Sequence, residues 1–440
     1  MDIFNKRLLN FSFSNFFSFK DEQTIFFTEE TKYSSESNLS SYSIPQHEER
    51  TLPVTVIYGA NASGKTNALL ALKSISRLFD RSDKKAGNLP FYKPFKLDDE
   101  PDKTSSCKLE FLLGENCYYY EIYFDKKSFV SETLKKNDKI SYEKIGINEP
   151  INFKDNIISE YDKDYINDLL KKRKDITILE LLSVRGLHQY EQLCSFLKTF
   201  DEDDNAKERS LLEPLYKDKK EQRKILEWLK AADIGISKIR IKREIPSDDD
   251  VKKNALILKK LEEVFSGTGH FEGLSEEDLH KDIYKVSFEH QGKDGKSYPL
   301  SGMLESLGTK NFFEKMIVFS AAFLKGGIFL FDEFERSFHP LLVKYIIDAF
   351  HNEKINKAGA QIIFSTHDVN LLKPNILRRD EIWFTEKDCE GKSELYPLSK
   401  FKDVRNNIDY GKSYLSGKFG AIPYMGNIND LIRILEEQNA

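Results

Sequence analysis

One run of eight residues has the types and spacing of a phosphate-binding loop. It fits the pattern G-x-x-x-x-G-K-[ST] and consists of Gly59, Ala60, Asn61, Ala62, Ser63, Gly64, Lys65 and Thr66. In this pattern the glycines let backbone N–H groups wrap phosphates, the lysine reaches the β- and γ-phosphates, and the final hydroxyl ligates Mg²⁺. An apolar, β-branched run precedes it (Val54–Tyr58) and a helical pattern follows it through Leu78. This order of strand, loop and helix predicts a site for ATP and Mg²⁺.

A second run places two carboxylates directly after a buried strand. Ile328–Phe331 is apolar, and Asp332 and Glu333 follow it. Ligands of α/β sheets bind at the carboxyl ends of the strands, so these acids are expected beside the phosphates. Asp332 is expected to hold Mg²⁺ through water, and Glu333 is expected to polarise the attacking water. The acid pair, together with the absence of an Asn-Lys-x-Asp guanine-reading motif, favours an ATP hydrolase over a GTPase.

Four further residues in three segments are candidates for the site: His367, Ser306 with Gly308, and His339. His367 ends the apolar strand Ile362–Thr366 and is expected one strand away from the acid pair. Ser306 and Gly308 form a Ser-x-Gly turn at a helix start, which is an anion site; we prefer them to the superficially similar Leu300–Gly302. His339 follows the acid pair and has two interpretations: a plain helix cap, or a residue that crosses a dimer interface, as the family resemblance described below implies.

The order of elements predicts an α/β protein in three segments. Residues 1–154 are expected to hold the phosphate loop and antiparallel hairpins, with strands at Cys107–Leu113, Cys117–Phe124 and Phe129–Leu134. Residues 155–282 show helical spacing from about 155 to 263 and are expected to form a helical insertion lobe. Residues 283–440 alternate strand and helix, which predicts a largely parallel sheet.

Composition narrows the class of protein. The chain has 440 residues, 40% hydrophobic and 32% charged, with a formal net charge of −5, which predicts a folded, soluble protein and argues against indiscriminate nucleic-acid coating. No apolar run reaches the ~18 residues that a membrane helix needs. The four cysteines contain no CxxC pair, which argues against a zinc hook and favours a reducing cytoplasm. The acidic runs Asp201–Asp204 and Asp248–Asp250 are interpreted as solvated connections.

Taken together, these motifs resemble the RecF/SMC/OLD-related ATP-binding-cassette ATPases of bacterial phage-defence and abortive-infection systems, including the ATPase subunits of the PARIS type. The matching segments are Asn15–Phe19, Gly59–Thr66, Ala232–Ile236, Glu305–Thr309, Asp332–Glu333, Ser337–Pro340, Thr366–Asp368, Arg379–Phe384 and Tyr414–Pro423. The resemblance implies a P-loop NTPase fold of the ATP-binding-cassette type, with an antiparallel β subdomain and a helical insertion. One departure is a missing glutamine: none occurs between Gln46 and Gln189, so another residue near Pro94–Leu97 is expected to serve.

The resemblance also implies partners. It predicts a head-to-head dimer or higher homo-oligomer, in which Ser306 and Gly308 face the γ-phosphate held by the opposite copy. It also predicts a separate effector such as a Toprim-like nuclease and a phage-encoded trigger, while DNA contact stays open and no membrane partner is expected. An OLD-type nuclease on the same chain is set aside, because only 73 residues follow His367 (440 minus 367). A SMC/RecF-like DNA-repair clamp is the alternative; against it, the insertion lacks sustained heptads.

Overall fold

A computed structural model describes residues 5–30, 39–44, 49–79, 86–98, 103–201, 208–232, 235–247, 251, 282–402, 404 and 408–423. The side chains of both acidic runs, Asp201–Asp204 and Asp248–Asp250, lie outside the described residues, and so do Asp233 and Ile234. The described strands, β1 to β17 in chain order, are Lys6–Ser14, Gln23–Phe26, Tyr42–Ser43, Arg50–Thr51, Val54–Gly59, Ser105–Leu113, Asn116–Phe124, Phe129–Lys136, Lys139–Lys144, Asn152–Phe153, Ile236–Glu244, Ile283–Gln291, Ser297–Ser301, Ile328–Phe331, Gln361–Ser365, Ile382–Lys387 and Ser393–Pro397.

The described α-helices are Lys65–Arg77, Glu160–Lys172, Ile178–Val184, His188–Lys198, Glu208–Lys217, Lys219–Ala231, Leu307–Lys325, Pro340–His351 and Tyr410–Leu415. Short 3₁₀ turns lie at Thr199–Asp201, Gly302–Leu304, Phe334–Ser337, Val369–Leu371, Arg379–Glu381 and Leu398–Lys400. The chain forms two compact units. The first unit comprises Met1–Glu202 and Ala322–Ala440, and the second comprises Asp203–Ala321.

A five-stranded sheet in the first unit carries the phosphate loop. Its strand order is β14-β15-β5-β16-β17, in which the first four strands are parallel and β17 runs antiparallel to β16. Every residue of β5 is buried, which explains its continuous apolar run. Phe331 pairs with Phe364 and Ser365 pairs with Ile57, so β14, β15 and β5 end at one edge of the sheet. The predicted parallel sheet is confirmed.

The first unit also contains a seven-stranded antiparallel sheet, with the order β10-β9-β8-β7-β6-β1-β2, and the two-stranded sheet β3-β4. The predicted hairpins are confirmed, since β6 pairs with β7 and β7 with β8 in antiparallel register. Apolar residues of this sheet, such as Phe111 and Tyr142, share one core with residues of the following helices, such as Ile166 and Leu179.

That shared core bears on the three predicted segments. The helices from Glu160 to Lys198 belong to the first unit because their apolar faces pack into the core of the antiparallel sheet. Strands β12 and β13 belong to the second unit. The boundaries at residues 155 and 282 therefore differ from those of the compact units, and the three-segment division stays a prediction.

The second unit contains the antiparallel sheet β11-β12-β13 and the helices Glu208–Lys217 and Lys219–Ala231. The helical prediction was wrong at Ile236–Glu244, which forms β11. Its buried positions are Ile236, Ile239 and Ile241, and an irregularity in the register lies between Ile236 and Lys238. This bulge puts three positions between the buried residues Ile236 and Ile239, where a regular strand would put two. In the sequence, a spacing of three looks like that of a helix.

Candidate nucleotide-binding site

The phosphate loop has a backbone that its glycines make possible. Gly64 adopts φ 121°, and a Cβ atom there would lie 2.8 Å from Ser393 Oγ and 3.1 Å from the ring of Phe19. Gly64 is also the residue that caps the helix Lys65–Arg77, and no side chain accepts a hydrogen bond from the first turn at this cap. The N–H groups of that turn therefore remain available to an anion, and phosphate binding by this loop stays a prediction.

Hydroxyl groups from two distant strands fix the loop in place. Ser63 Oγ lies 2.6 Å from Thr385 Oγ1 on β16, and Ser393 Oγ on β17 donates a hydrogen bond to the carbonyl oxygen of Ser63 (2.6 Å). All three residues are buried. The loop is consequently held from outside its own segment before any nucleotide binds.

Lys65 folds back onto the loop. Its Nζ donates to the carbonyl oxygens of Gly59 (2.9 Å) and Ala60 (3.1 Å). Burial lowers the pKa of Lys65, while the carboxylates of Asp332, Glu333 and nearby Glu335 act in the opposite direction. The ammonium thus lies within the loop that the motif assigns to phosphate.

The acid pair meets the phosphate loop at the sheet edge. Thr66 Oγ1 donates to Asp332 Oδ2 over 2.8 Å, across 266 positions of sequence. Ser365 Oγ, at the end of β15, donates to Asp332 Oδ1 and accepts a hydrogen bond from the Glu333 N–H group (2.8 Å). The Thr66 hydroxyl and the Asp332 carboxylate, which lie at hydrogen-bond distance from each other, are hard oxygen ligands. Mg²⁺ takes one or two such ligands from a protein and completes its shell with water and phosphate oxygens. The donor set therefore fits Mg²⁺.

Glu333 lies beside Asp332 in an uncommon backbone conformation, with φ 49°. Its carboxylate forms an ion pair with Arg336, one turn further along the chain. Glu333 is therefore at the expected edge of the sheet, and its carboxylate is held by a side chain that the sequence did not mark.

His367 also lies at this edge, as predicted. Its backbone N–H donates to Glu335 Oε1 (2.7 Å), and its side chain is exposed. Partial burial and the positive charge of Lys65 lower the pKa of His367, against the carboxylates of Glu335, Glu333 and Asp332. The lowered pKa favours the neutral imidazole, which can donate or accept a hydrogen bond there. The other oxygen of Glu335, Oε2, is buried and has no hydrogen-bond partner among the described residues.

The other candidates are helix starts. Ser306 belongs to the second unit and accepts a hydrogen bond from the Thr309 N–H (3.1 Å), and Gly308 lies in the first turn of the helix Leu307–Lys325. His339 belongs to the first unit and caps the helix Pro340–His351, with Nδ1 accepting from the Leu341 N–H (3.3 Å). The structure thus shows the helix-cap role of His339, and contact of these residues with a partner's nucleotide stays a prediction.

Sequence reasoning missed several residues of this site: Ser365, Arg336, Thr385 and Ser393. Each is an ordinary polar residue in no motif: the strand register brings Ser365, Thr385 and Ser393 to the site, while Arg336 reaches Glu333 from the adjacent 3₁₀ turn. The substitute for the missing glutamine was expected near Pro94–Leu97. In this segment the Phe95 N–H donates to Asn15 Oδ1 (2.9 Å), and Leu97 is exposed. Which residue substitutes for the glutamine stays a prediction.

Within the described ranges, none of the helices combines the length and apolar character that crossing a bilayer requires.

Three solved structures illustrate the similarity of the chain to SMC heads. A structure titled "Crystal structure of the SmcHead bound to the C-winged helix domain of ScpA" is 13% identical and covers 89% of this chain and 97% of its own, with a TM-score of 0.39. The SMC head domain from Thermotoga maritima is 16% identical, with coverages of 89% and 98% and a TM-score of 0.37. A Smc head with an extended coiled coil, bound to the C-terminal domain of ScpA derived from Pyrococcus furiosus, is 14% identical, with coverages of 99% and 100% and a TM-score of 0.39.

No curated protein matches the chain. A family model does: it is described as "AAA domain, putative AbiEii toxin, Type IV TA system" and matches residues 54–373. The matched segment begins at the strand before the phosphate loop and includes the acid pair and His367. Because it spans more than half of the chain, this protein belongs to that family of AAA-domain P-loop ATPases.

Proposed function

We propose that the chain binds Mg²⁺–ATP at the Thr66–Asp332 edge, hydrolyses it slowly, and serves as a sensor or scaffold subunit of a bacterial anti-phage system that controls a separate effector nuclease. The observation that carries the ATPase part is the hydrogen bond from Thr66 Oγ1 to Asp332 Oδ2 (2.8 Å). It joins the start of the phosphate-loop helix to the end of β14, as an ATP site requires.

Each residue has a role that follows from its position. Lys65 would leave the loop carbonyls and bind phosphate oxygens, while the N–H groups of the first helical turn bind the others. Thr66 and Asp332 would hold Mg²⁺, which neutralises phosphate charge. Glu333 would accept a proton from the attacking water, after its carboxylate separates from Arg336. His367 would contact the γ-phosphate as a neutral imidazole.

The link to defence rests on the family description, which names a type IV toxin–antitoxin system, and on the resemblance of the motifs. The same description contains the word toxin and favours a second candidate, in which this chain is itself the toxic component. The DNA-repair clamp is a third candidate, and it requires ATP-dependent DNA binding without an effector.

The chemistry is tested first. Glu333→Gln should keep ATP affinity and lose about 10²–10⁴-fold in hydrolysis, since it removes the general base. Lys65→Ala should lose binding itself. The matched control is Glu115→Gln, which makes the same change at an exposed turn between β6 and β7. Hydrolysis by Glu333→Gln at the rate of the control would contradict the assignment.

Assembly is tested by light scattering with and without ATP. If Ser306 contacts the nucleotide of a partner copy, the mass should rise with ATP, most clearly for Glu333→Gln, and Ser306→Arg should prevent the rise. A mass that ATP leaves unchanged, together with full hydrolysis by Ser306→Arg, would favour a constitutive oligomer.

The division of labour is tested by expressing the chain alone. The sensor proposal predicts normal growth and intact DNA and RNA after incubation with ATP and Mg²⁺. Growth arrest that persists in the absence of any neighbouring gene would favour the toxin candidate. ATP-dependent retention of DNA, with no effect of a co-expressed nuclease, would favour the clamp.

A further inference from the structure

An open cavity of about 760 Å³ lies in the first unit, away from every motif of the sequence. The end of β9, the connection to β10 and the helix Glu160–Lys172 form its walls. Apolar side chains (Ile147, Ile151 and Leu170) line part of it, and Lys144 and Lys174 also face it. Its volume is in the range of pockets that hold small molecules.

Lys144 has an unusual position in this cavity. The residue is only 6% exposed, and its ammonium has no hydrogen-bond or ion-pair partner within the part of the chain that the structure describes. The other two lysines of the wall are already engaged: Lys171 Nζ bonds Asp168 (2.8 Å), and Lys174 Nζ bonds Asn148 Oδ1 (3.0 Å). Buried lysines are rare unless they are paired.

The residue opposite Lys144 in the sheet is Glu132, on β8. This carboxylate could have been the partner, but it accepts hydrogen bonds from four other groups. They are the N–H groups of Ile178 (2.6 Å) and Leu179 (3.0 Å) and the hydroxyls of Tyr120 (3.1 Å) and Tyr142 (2.8 Å). Three of these bonds fall on Oε1 and one falls on Oε2, and none of them comes from Lys144, whose donors have no acceptor within the described part of the chain.

Burial lowers the pKa of Lys144, with Glu132 acting against this effect and Lys174 adding to it. An anion in the cavity would offset this cost of burial and accept hydrogen bonds from the ammonium. Three exposed carboxylates, Glu149, Asp164 and Asp168, surround the opening. They would repel a polyanion such as nucleic acid or a nucleoside triphosphate, so the chemistry favours a ligand of low charge.

We propose that this cavity binds a small molecule through one oxyanion group, a phosphate or a carboxylate, which accepts hydrogen bonds from Lys144 Nζ while its apolar part contacts Ile151 and Leu170. Lys174 lies at the same wall and adds a second positive charge. The proposal is independent of ATP hydrolysis, because it rests on residues that have no part in the phosphate loop.

The test uses the full chain carrying Lys65→Ala, so that the phosphate loop does not bind the probe. Titration calorimetry with inorganic phosphate and, separately, with butyrate should show one saturable site for at least one of them. Adding Lys144→Met should weaken that binding about tenfold or more, because a charge-assisted hydrogen bond is lost. Lys171→Met is the matched control and should change it less than about threefold, since its ammonium is already paired.

A second measurement needs no variant at Lys144. Acetylation of the otherwise unaltered protein, followed by mass spectrometry, should show that the bound probe slows modification of Lys144 and leaves that of Lys171 unchanged. Binding of phosphate alone would identify a phosphorylated ligand, and binding of butyrate alone would identify a carboxylate. Binding of neither probe at about 10 mM, or equal binding by Lys144→Met, would overturn the proposal.

Discussion

Ser365→Ala is the most informative single change at the nucleotide site. The Ser365 hydroxyl is fully buried, donates to Asp332 Oδ1 and accepts from the Glu333 N–H (2.8 Å). It is the only group among the described residues that hydrogen-bonds to both acids of the pair. Alanine would remove both bonds and leave every residue of the phosphate loop as it is.

The expected magnitude follows from these two bonds. A hydrogen bond to a charged acceptor contributes about 1.5–3 kcal/mol and a neutral one about 0.5–1.5 kcal/mol. Asp332 is exposed, so water can replace part of the lost donor, and a net cost of about 1–2 kcal/mol is reasonable. If the same energy positions the acids in the transition state, hydrolysis should fall about 5–30-fold. ATP affinity should change little, since Lys65 and the loop N–H groups are untouched.

The assay is phosphate release at saturating ATP, repeated over a range of Mg²⁺ concentrations, with ATP affinity measured separately. Ser74→Ala is the matched control: Ser74 is also buried, but its hydroxyl bonds only the carbonyl of Ala71 in its own helix (2.7 Å). The reasoning is refuted if Ser365→Ala hydrolyses ATP as fast as Ser74→Ala with the same Mg²⁺ requirement.

Three further predictions concern the loop, the acid pair and the core. Gly64→Ala should abolish ATP binding and cost about 1–3 kcal/mol in the free energy of unfolding, because φ is 121° and the new Cβ would meet Ser393; wild-type affinity in equilibrium binding would contradict this. Arg336→Gln should raise hydrolysis by up to about fivefold, because an exposed ion pair of about 0.2–1 kcal/mol no longer holds Glu333; a slower variant in the phosphate assay would instead give Arg336 a catalytic role. Burial raises the pKa of the Cys107 and Cys194 thiols to about 12. From about pH 9 to 12 the unfolded chain therefore releases protons that the folded chain keeps, so each thiol lowers the free energy of unfolding by about 1.4 kcal/mol per pH unit. In urea unfolding the double variant Cys107→Ala, Cys194→Ala should lose stability less steeply over this interval.

Sequence reasoning predicted the local structure correctly where one short segment defines it. Gly59–Thr66 combines a strand end, a tight turn and a helix start in one short segment, so its sequence specifies both geometry and chemistry. Asp332 was found in the same way, because a buried apolar strand that ends in acids is a local pattern. The fold class followed from the alternation of these elements.

Features that depend on packing between distant segments were not predictable in this way. Glu132 illustrates the difficulty, since in sequence it is one acid among polar neighbours on β8. In the structure it is 2% exposed and binds the first N–H groups of the helix Ile178–Val184. This contact attaches the helix to the antiparallel sheet, so a residue with no motif around it helps to determine which unit the helix belongs to.

The strand order explains why a polar residue is needed at the position of Ser365. Strand β15 lies between β14, which ends at Asp332, and β5, which leads into the phosphate loop. Any residue at the end of β15 must therefore lie between the acids and the loop. An apolar side chain there would leave the Glu333 N–H and an Asp332 oxygen without the hydrogen bonds that Ser365 now makes to them. A hydroxyl satisfies both because it donates and accepts at once. The strand order thus requires at this position a small group that can both donate and accept a hydrogen bond. The sequence shows only a serine before Thr366, and the requirement becomes visible only when the order of the strands is known.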